Sequence, residues 1–160
     1  MGEPVPKRKW RGALLGLLVA LLLAAGVFVR PYRVDGHSMA PHYQDGDIVW
    51  TVPLWGDPNR GDVLIFEAPD GSGRSMKRVA GLPSEVPQNN FQRLQPDPNR
   101  PPIETHVTRW VYDEQGRLAL PAGHYFLLGD HPAASIDSRD FGPVRSEALH
   151  RRVLGGKRDE

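Results

Sequence analysis

Residues 13 to 29 read ALLGLLVALLLAAGVFV, 17 consecutive residues without a polar side chain. As a helix rising about 1.5 Å per residue, such a run spans roughly 26 Å, just enough to cross the hydrocarbon of a bilayer. Lys7, Arg8, Lys9 and Arg11 precede it, while only Arg30 and Arg33 closely follow. That bias puts residues 1–12 on the cytoplasmic side. Trp10 and Tyr32 suit the two interfaces. The expectation is a single anchor over 13–29 and one extracytoplasmic domain over 30–160. A cleaved signal peptide is the competing reading, because Ala24, Ala25 and Gly26 are small enough for a cleavage site. The apolar stretch that continues through Val27, Phe28 and Val29 favours the anchor.

The chain beyond this run has room for one domain. Its composition, with 17 Gly and 16 Pro in the whole chain, points to a turn-rich β domain and not a helical bundle. Candidate strands are 47–52 (DIVWTV), 62–68 (DVLIFEA), 76–82 (MKRVAGL), 109–113 (RWVYD), 117–120 (RLAL) and 124–130 (HYFLLGD), each rich in β-branched or aromatic residues and bounded by turn residues. The EQG between the fourth and fifth reads as a hairpin loop. Residues 145–155 suit a short helix or a last strand. The fold class expected is mainly β, a coiled antiparallel sheet or partly open barrel. Residues 88–102, QNNFQRLQPDPNRPP, carry too much Pro and Asn for a buried element and read as a variable loop.

The charge is nearly balanced, 20 Lys+Arg against 19 Asp+Glu, so nothing in it suggests a nucleic-acid partner. Cysteine is absent, which excludes disulfides, a thiol nucleophile and thiolate metal sites. The six histidines, at 37, 42, 106, 124, 131 and 150, fall in no zinc-ligand spacing. No metal and no cofactor is expected. GHSMAP at 36–41 contains a candidate nucleophile, Ser38, but it is not the G-x-S-x-G elbow, and nothing particular favours a Ser-His-Asp triad.

Lys77 is the other candidate. A lysine on an otherwise apolar strand, if turned inward, loses solvation, and that lowers its pKa toward the neutral amine a general base requires. The plainer alternatives are an ammonium reaching solvent or a pair with Glu67 across a hairpin. Residues 125–144 then supply hydroxyls, Ser135 and Ser138, to hydrogen-bond an amine, with Asp137 and Arg139 to brace the loop.

Taken in order, these segments resemble the bacterial type I signal peptidases, or leader peptidases. An apolar anchor is followed by GHSMAP, DGDIVW, RGDVLIFEAP, KRVAGLPSE and GDHPAASIDSRDFGPV, similar to the family's motifs across most of the chain. The resemblance implies a serine endopeptidase of the bacterial cytoplasmic membrane that removes signal peptides from exported preproteins at A-x-A-like sites. Ser38 falls at the nucleophile and Lys77 at the general base. Ser135 matches the serine whose hydroxyl holds the lysine amine, and Asp137 with Arg139 the pair bracing that wall. Some relatives add an oxyanion hydroxyl two residues before the nucleophile, where this chain has Gly36. Pro41-His42-Tyr43 departs from the usual P-T-L, and Gly129-Asp130-His131 from G-D-N. The partners implied are preproteins and the lipid bilayer. Two rivals are a LexA-like self-cleaving Ser-Lys protein and a non-catalytic membrane-anchored β module that binds peptides.

Overall fold

The computed structural model describes residues 7–85 and 120–156. Helix α1 covers Lys7–Phe28 and contains most of the apolar run. Its leucines 14, 15, 17 and 18 are 53 to 63% exposed, so they cover no core of this chain. No helix among the described residues is long and apolar enough to cross a membrane.

Among the described residues seven strands follow: β1 Arg30–Arg33, β2 Ile48–Pro53, β3 Val63–Glu67, β4 Arg74–Gly81, β5 His124–Leu128, β6 Val144–Arg145 and β7 Leu149–Val153. They form one sheet in the order β1-β2-β7-β3-β4-β5-β6, and every pairing is antiparallel. The sheet is open, with β1 and β6 as its edges, so the mainly β class holds and the partly open barrel gives way to an open sheet. The RWVYD and RLAL strands, the EQG loop and the 88–102 loop fall outside the described residues, apart from Leu120.

Burial explains why β3 and β4 are central. Val63, Leu64, Ile65 and Phe66 are all at most 1% exposed, as expected of strands covered on both faces. Leu64 and Phe66 pack one face with Val79, Tyr125, Leu127 and Phe141. Val63 and Ile65 pack the other with Val34, Met39, Tyr43, Met76 and Val153. Burying each large side chain stabilises the sheet by about 2 kcal/mol.

β1 has no sequence signature, since RPYR lacks apolar alternation. It forms because β2 offers an unpaired edge, where a proline is tolerated. Residues 145–155 settle as a short 3-10 turn, Ser146–Ala148, followed by β7. Arg151 on β7 donates to the Phe28 carbonyl at 2.6 Å, and the Phe28 and Trp55 rings lie 5.6 Å apart. These contacts tie the end of α1 to the sheet.

Candidate active site

Two apolar anchors hold the turn containing Ser38. Met39 is 1% exposed and Tyr43 7%, and the Tyr43 N–H donates to the Met39 carbonyl at 2.9 Å. Gly36 opens the turn at φ +77°, a conformation other residues reach only with strain. Its N–H donates to Asp45 Oδ1 at 2.8 Å. Ser38 is therefore presented by a segment pinned at both ends.

Lys77 lies at the middle of β4, opposite Leu64 of β3. It is 3% exposed, and its Nζ donates to Ser38 Oγ at 2.9 Å, to Ser75 Oγ at 3.1 Å and to the Met76 carbonyl at 3.1 Å. Burial lowers the Lys77 pKa below the ordinary 10.5, against the opposing charges of Asp137, Asp70 and Asp130. The expected alternative, a pair with Glu67, is replaced by another register: Glu67 opposes Arg74 across the hairpin.

Ser75 is a site residue that no motif singles out. Two positions before Lys77 on one strand, it shares a face with the lysine by simple alternation, and that spacing is the signal that could have found it. The resemblance gives Ser135 the role of holding the amine, and its hydroxyl oxygen lies beside Gly129, next to the serine turn. Ser135 is fully buried and its hydroxyl donates to Asp137 Oδ2 at 2.7 Å. The same Asp137 carboxylate accepts from the Gly129 N–H at 3.0 Å. Arg139 adds two side-chain bonds to it, at 2.8 and 2.7 Å. Burial pushes the Asp137 carboxyl up, but these hydrogen bonds and the Arg139 charge outweigh it and hold the group below its usual 3.8. Asp137 also caps the short helix α2, Ser138–Phe141, and the Ser138 hydroxyl accepts from the Leu127 N–H at 3.0 Å.

Gly129 closes the wall. A Cβ there would stand 2.3 Å from Ser135 Oγ and 2.5 Å from the Ser38 carbonyl oxygen. No side chain fits, so the wall and the serine turn meet across bare backbone. A cleft of about 330 Å³ opens over Ser38 and Lys77, with Val34, Met39, Ala68, Met76 and Ile136 among its apolar lining.

A serine hydroxyl 2.9 Å from a buried lysine amine, beside a cleft of mixed polar and apolar lining, brings a hydroxyl and a base-type group to one place. The chain belongs to the signal peptidase family, peptidase S26, whose model matches residues 7–154, and that family consists of serine endopeptidases. It is 31% identical over 143 residues to the signal peptidase I of Bacillus licheniformis, covering 81% of this chain and 76% of the relative. Against signal peptidase I V of Bacillus subtilis strain 168 the identity is 30% over 160 residues, covering 89% and 94%. The solved signal peptidase I of Enterococcus faecalis V583 is 25% identical, covers 60% of this chain and 96% of its own, and overlays with a TM-score of 0.38.

Proposed function

We propose that this chain is a membrane-anchored signal peptidase that cuts exported preproteins at A-x-A-like sites, with Ser38 as nucleophile and Lys77 as general base. The observation that carries the reading is the 2.9 Å contact between a buried lysine amine and a serine hydroxyl. A neutral amine has two N–H groups and one lone pair. Ser75 Oγ and the Met76 carbonyl accept the two N–H groups, which leaves the lone pair for the Ser38 hydroxyl proton.

Ser38 Oγ attacks the scissile carbonyl carbon as its proton passes to Lys77 Nζ. The tetrahedral intermediate collapses, Lys77 gives the proton to the leaving amine, and Ser38 is left as an ester of the signal peptide. Water, deprotonated by Lys77, then hydrolyses that ester. Among the described residues nothing accepts from the Ser38 N–H, so this donor is open to the developing oxyanion. Gly36 supplies no hydroxyl, and its N–H is engaged by Asp45.

The 17-residue apolar run and the exposed leucines of α1 support a single-pass anchor at the bacterial cytoplasmic membrane, with residues 1–12 cytoplasmic and 30–160 outside as the catalytic domain. Ser38 lies nine residues past the run, so even fully extended chain keeps it within about 30 Å of the bilayer edge. A signal peptide's cleavage site emerges in that zone.

The test uses full-length protein in detergent with a preprotein bearing an A-x-A site. The unaltered chain cuts after the small residue, while folded Ser38→Ala and Lys77→Ala do not. Cleavage by Lys77→Ala would assign the base elsewhere. Inactivity of all three would favour the peptide-binding module.

A further inference from the structure

Asp130 joins the two halves of this site. Its Oδ1 accepts from Arg78 Nε at 2.8 Å and its Oδ2 from Arg78 Nη2 at 2.7 Å, a two-pronged geometry that fixes direction as well as distance. The same Oδ2 stands 2.9 Å from His42 Nδ1. Arg78 follows Lys77 on β4, and His42 comes four residues after Ser38 in the serine turn. A carboxylate with 6% side-chain exposure thus ties the strand of the lysine to the turn of the serine.

Neighbouring contacts make the tie stiff. Arg78 Nη1 donates to the Gly61 carbonyl at 3.0 Å, which fixes the guanidinium from its other side. The His131 N–H, one residue after Asp130, donates to the Ser38 carbonyl at 3.0 Å. His42 is the part of this frame that enters from the nucleophile's own turn, at a position where the resembling motif usually has threonine.

We propose that His42 is a positioning residue: it donates from Nδ1 to Asp130 and so holds Ser38 Oγ within reach of Lys77 Nζ. It touches neither substrate nor reacting atoms. The inference rests on the Ser38–Lys77 reading, and it adds a residue of this chain that the motif resemblance does not assign. A displacement of about 1 Å at a reacting atom costs up to ~100-fold in rate, so loss of one arm of the frame registers in kcat.

The experiment compares full-length His42→Ala and His42→Asn, which keeps a donor at the atom equivalent to Nδ1, in preprotein cleavage and thermal melting. In His42→Ala, kcat falls roughly tenfold with KM held within about twofold, and His42→Asn recovers most of the loss. Wild-type kcat in His42→Ala overturns the proposal, and so does equal impairment of the two variants, since bulk and not the hydrogen bond would then matter. If the alanine variant does not fold, His42→Leu takes its place under the same criteria. Lys77→Ala run alongside separates the two levels. Cleavage by Lys77→Ala removes the dyad itself, whereas a dead Lys77→Ala beside an unimpaired His42→Ala removes only the positioning role.

Discussion

Lys77 Nζ lies 2.9 Å from Ser38 Oγ although 39 residues separate them in the chain. The contact depends on three backbone facts: β4 is central in the sheet, Met39 sinks the serine turn into the core, and Gly129 lets the β5 end approach without a side chain.

The pH dependence of cleavage is set by burial. Desolvation disfavours the ammonium, so the Lys77 pKa is lowered from 10.5, and the neutral base persists to lower pH than an ordinary lysine allows. Acylation therefore rises with pH and reaches its plateau below the ordinary lysine range. Asp70 opposes this shift by its charge. Asp70→Asn moves the acid limb further toward low pH, read from single-turnover rates across a pH series; a shift toward high pH contradicts the sign.

Ser75 and Ser135 separate function from stability. Ser75→Ala removes one acceptor of the amine, lowers kcat by about tenfold and leaves the melting temperature nearly unchanged. Ser135→Ala removes a donor from a buried carboxylate and costs about 2 kcal/mol of stability. Paired kinetics and urea denaturation of both variants distinguish these outcomes from a reversed pattern.

Gly129→Ala places a methyl group 2.5 Å from the Ser38 carbonyl oxygen. Backbone must shift to accommodate it, at about 1 to 3 kcal/mol, and the serine turn moves with it. Cleavage falls by about 100-fold or more, while Gly12→Ala, on α1 where an added Cβ meets nothing within 4 Å, leaves kcat near wild type.

Arg139→Ala strips the buried Asp137 carboxylate of its cation and costs about 3 kcal/mol by denaturant titration. The pH sign is fixed by the lowered Asp137 pKa. Its stabilising contribution is present above the unfolded value near 3.8 and is lost as pH falls through the lower folded value. The stability difference between wild type and variant therefore narrows in that acid window.

Much of the fold is legible in the chain because apolar runs bounded by turn residues carry strong strand signals: 62–68 and 124–130 each contain an observed strand, and 47–52 and 76–82 each overlap one. β1 is not legible, because RPYR pairs through its backbone and Tyr32 alone packs against the core. At 145–155 the residues allow helix or strand, and pairing with β2 and β3 decides for strand. Ser38, Lys77 and Ser135 stand out by motif, yet no motif points to Ser75 as a further hydroxyl at the amine. Strand alternation places it there, two residues before Lys77 on β4. The Asp130 frame is equally silent, since its three side chains meet only when β4, the serine turn and the β5 end converge.

The central claim is that Ser38 Oγ becomes acylated with Lys77 as its base. Full-length protein mixed with a preprotein, quenched in acid within the first turnover and digested for mass spectrometry tests it directly. An ester of the signal-peptide C-terminus on Ser38 is expected, lost in Ser38→Ala and in Lys77→Ala. An adduct on another residue, or cleavage with no acylated serine in a chain that still turns over, would contradict it.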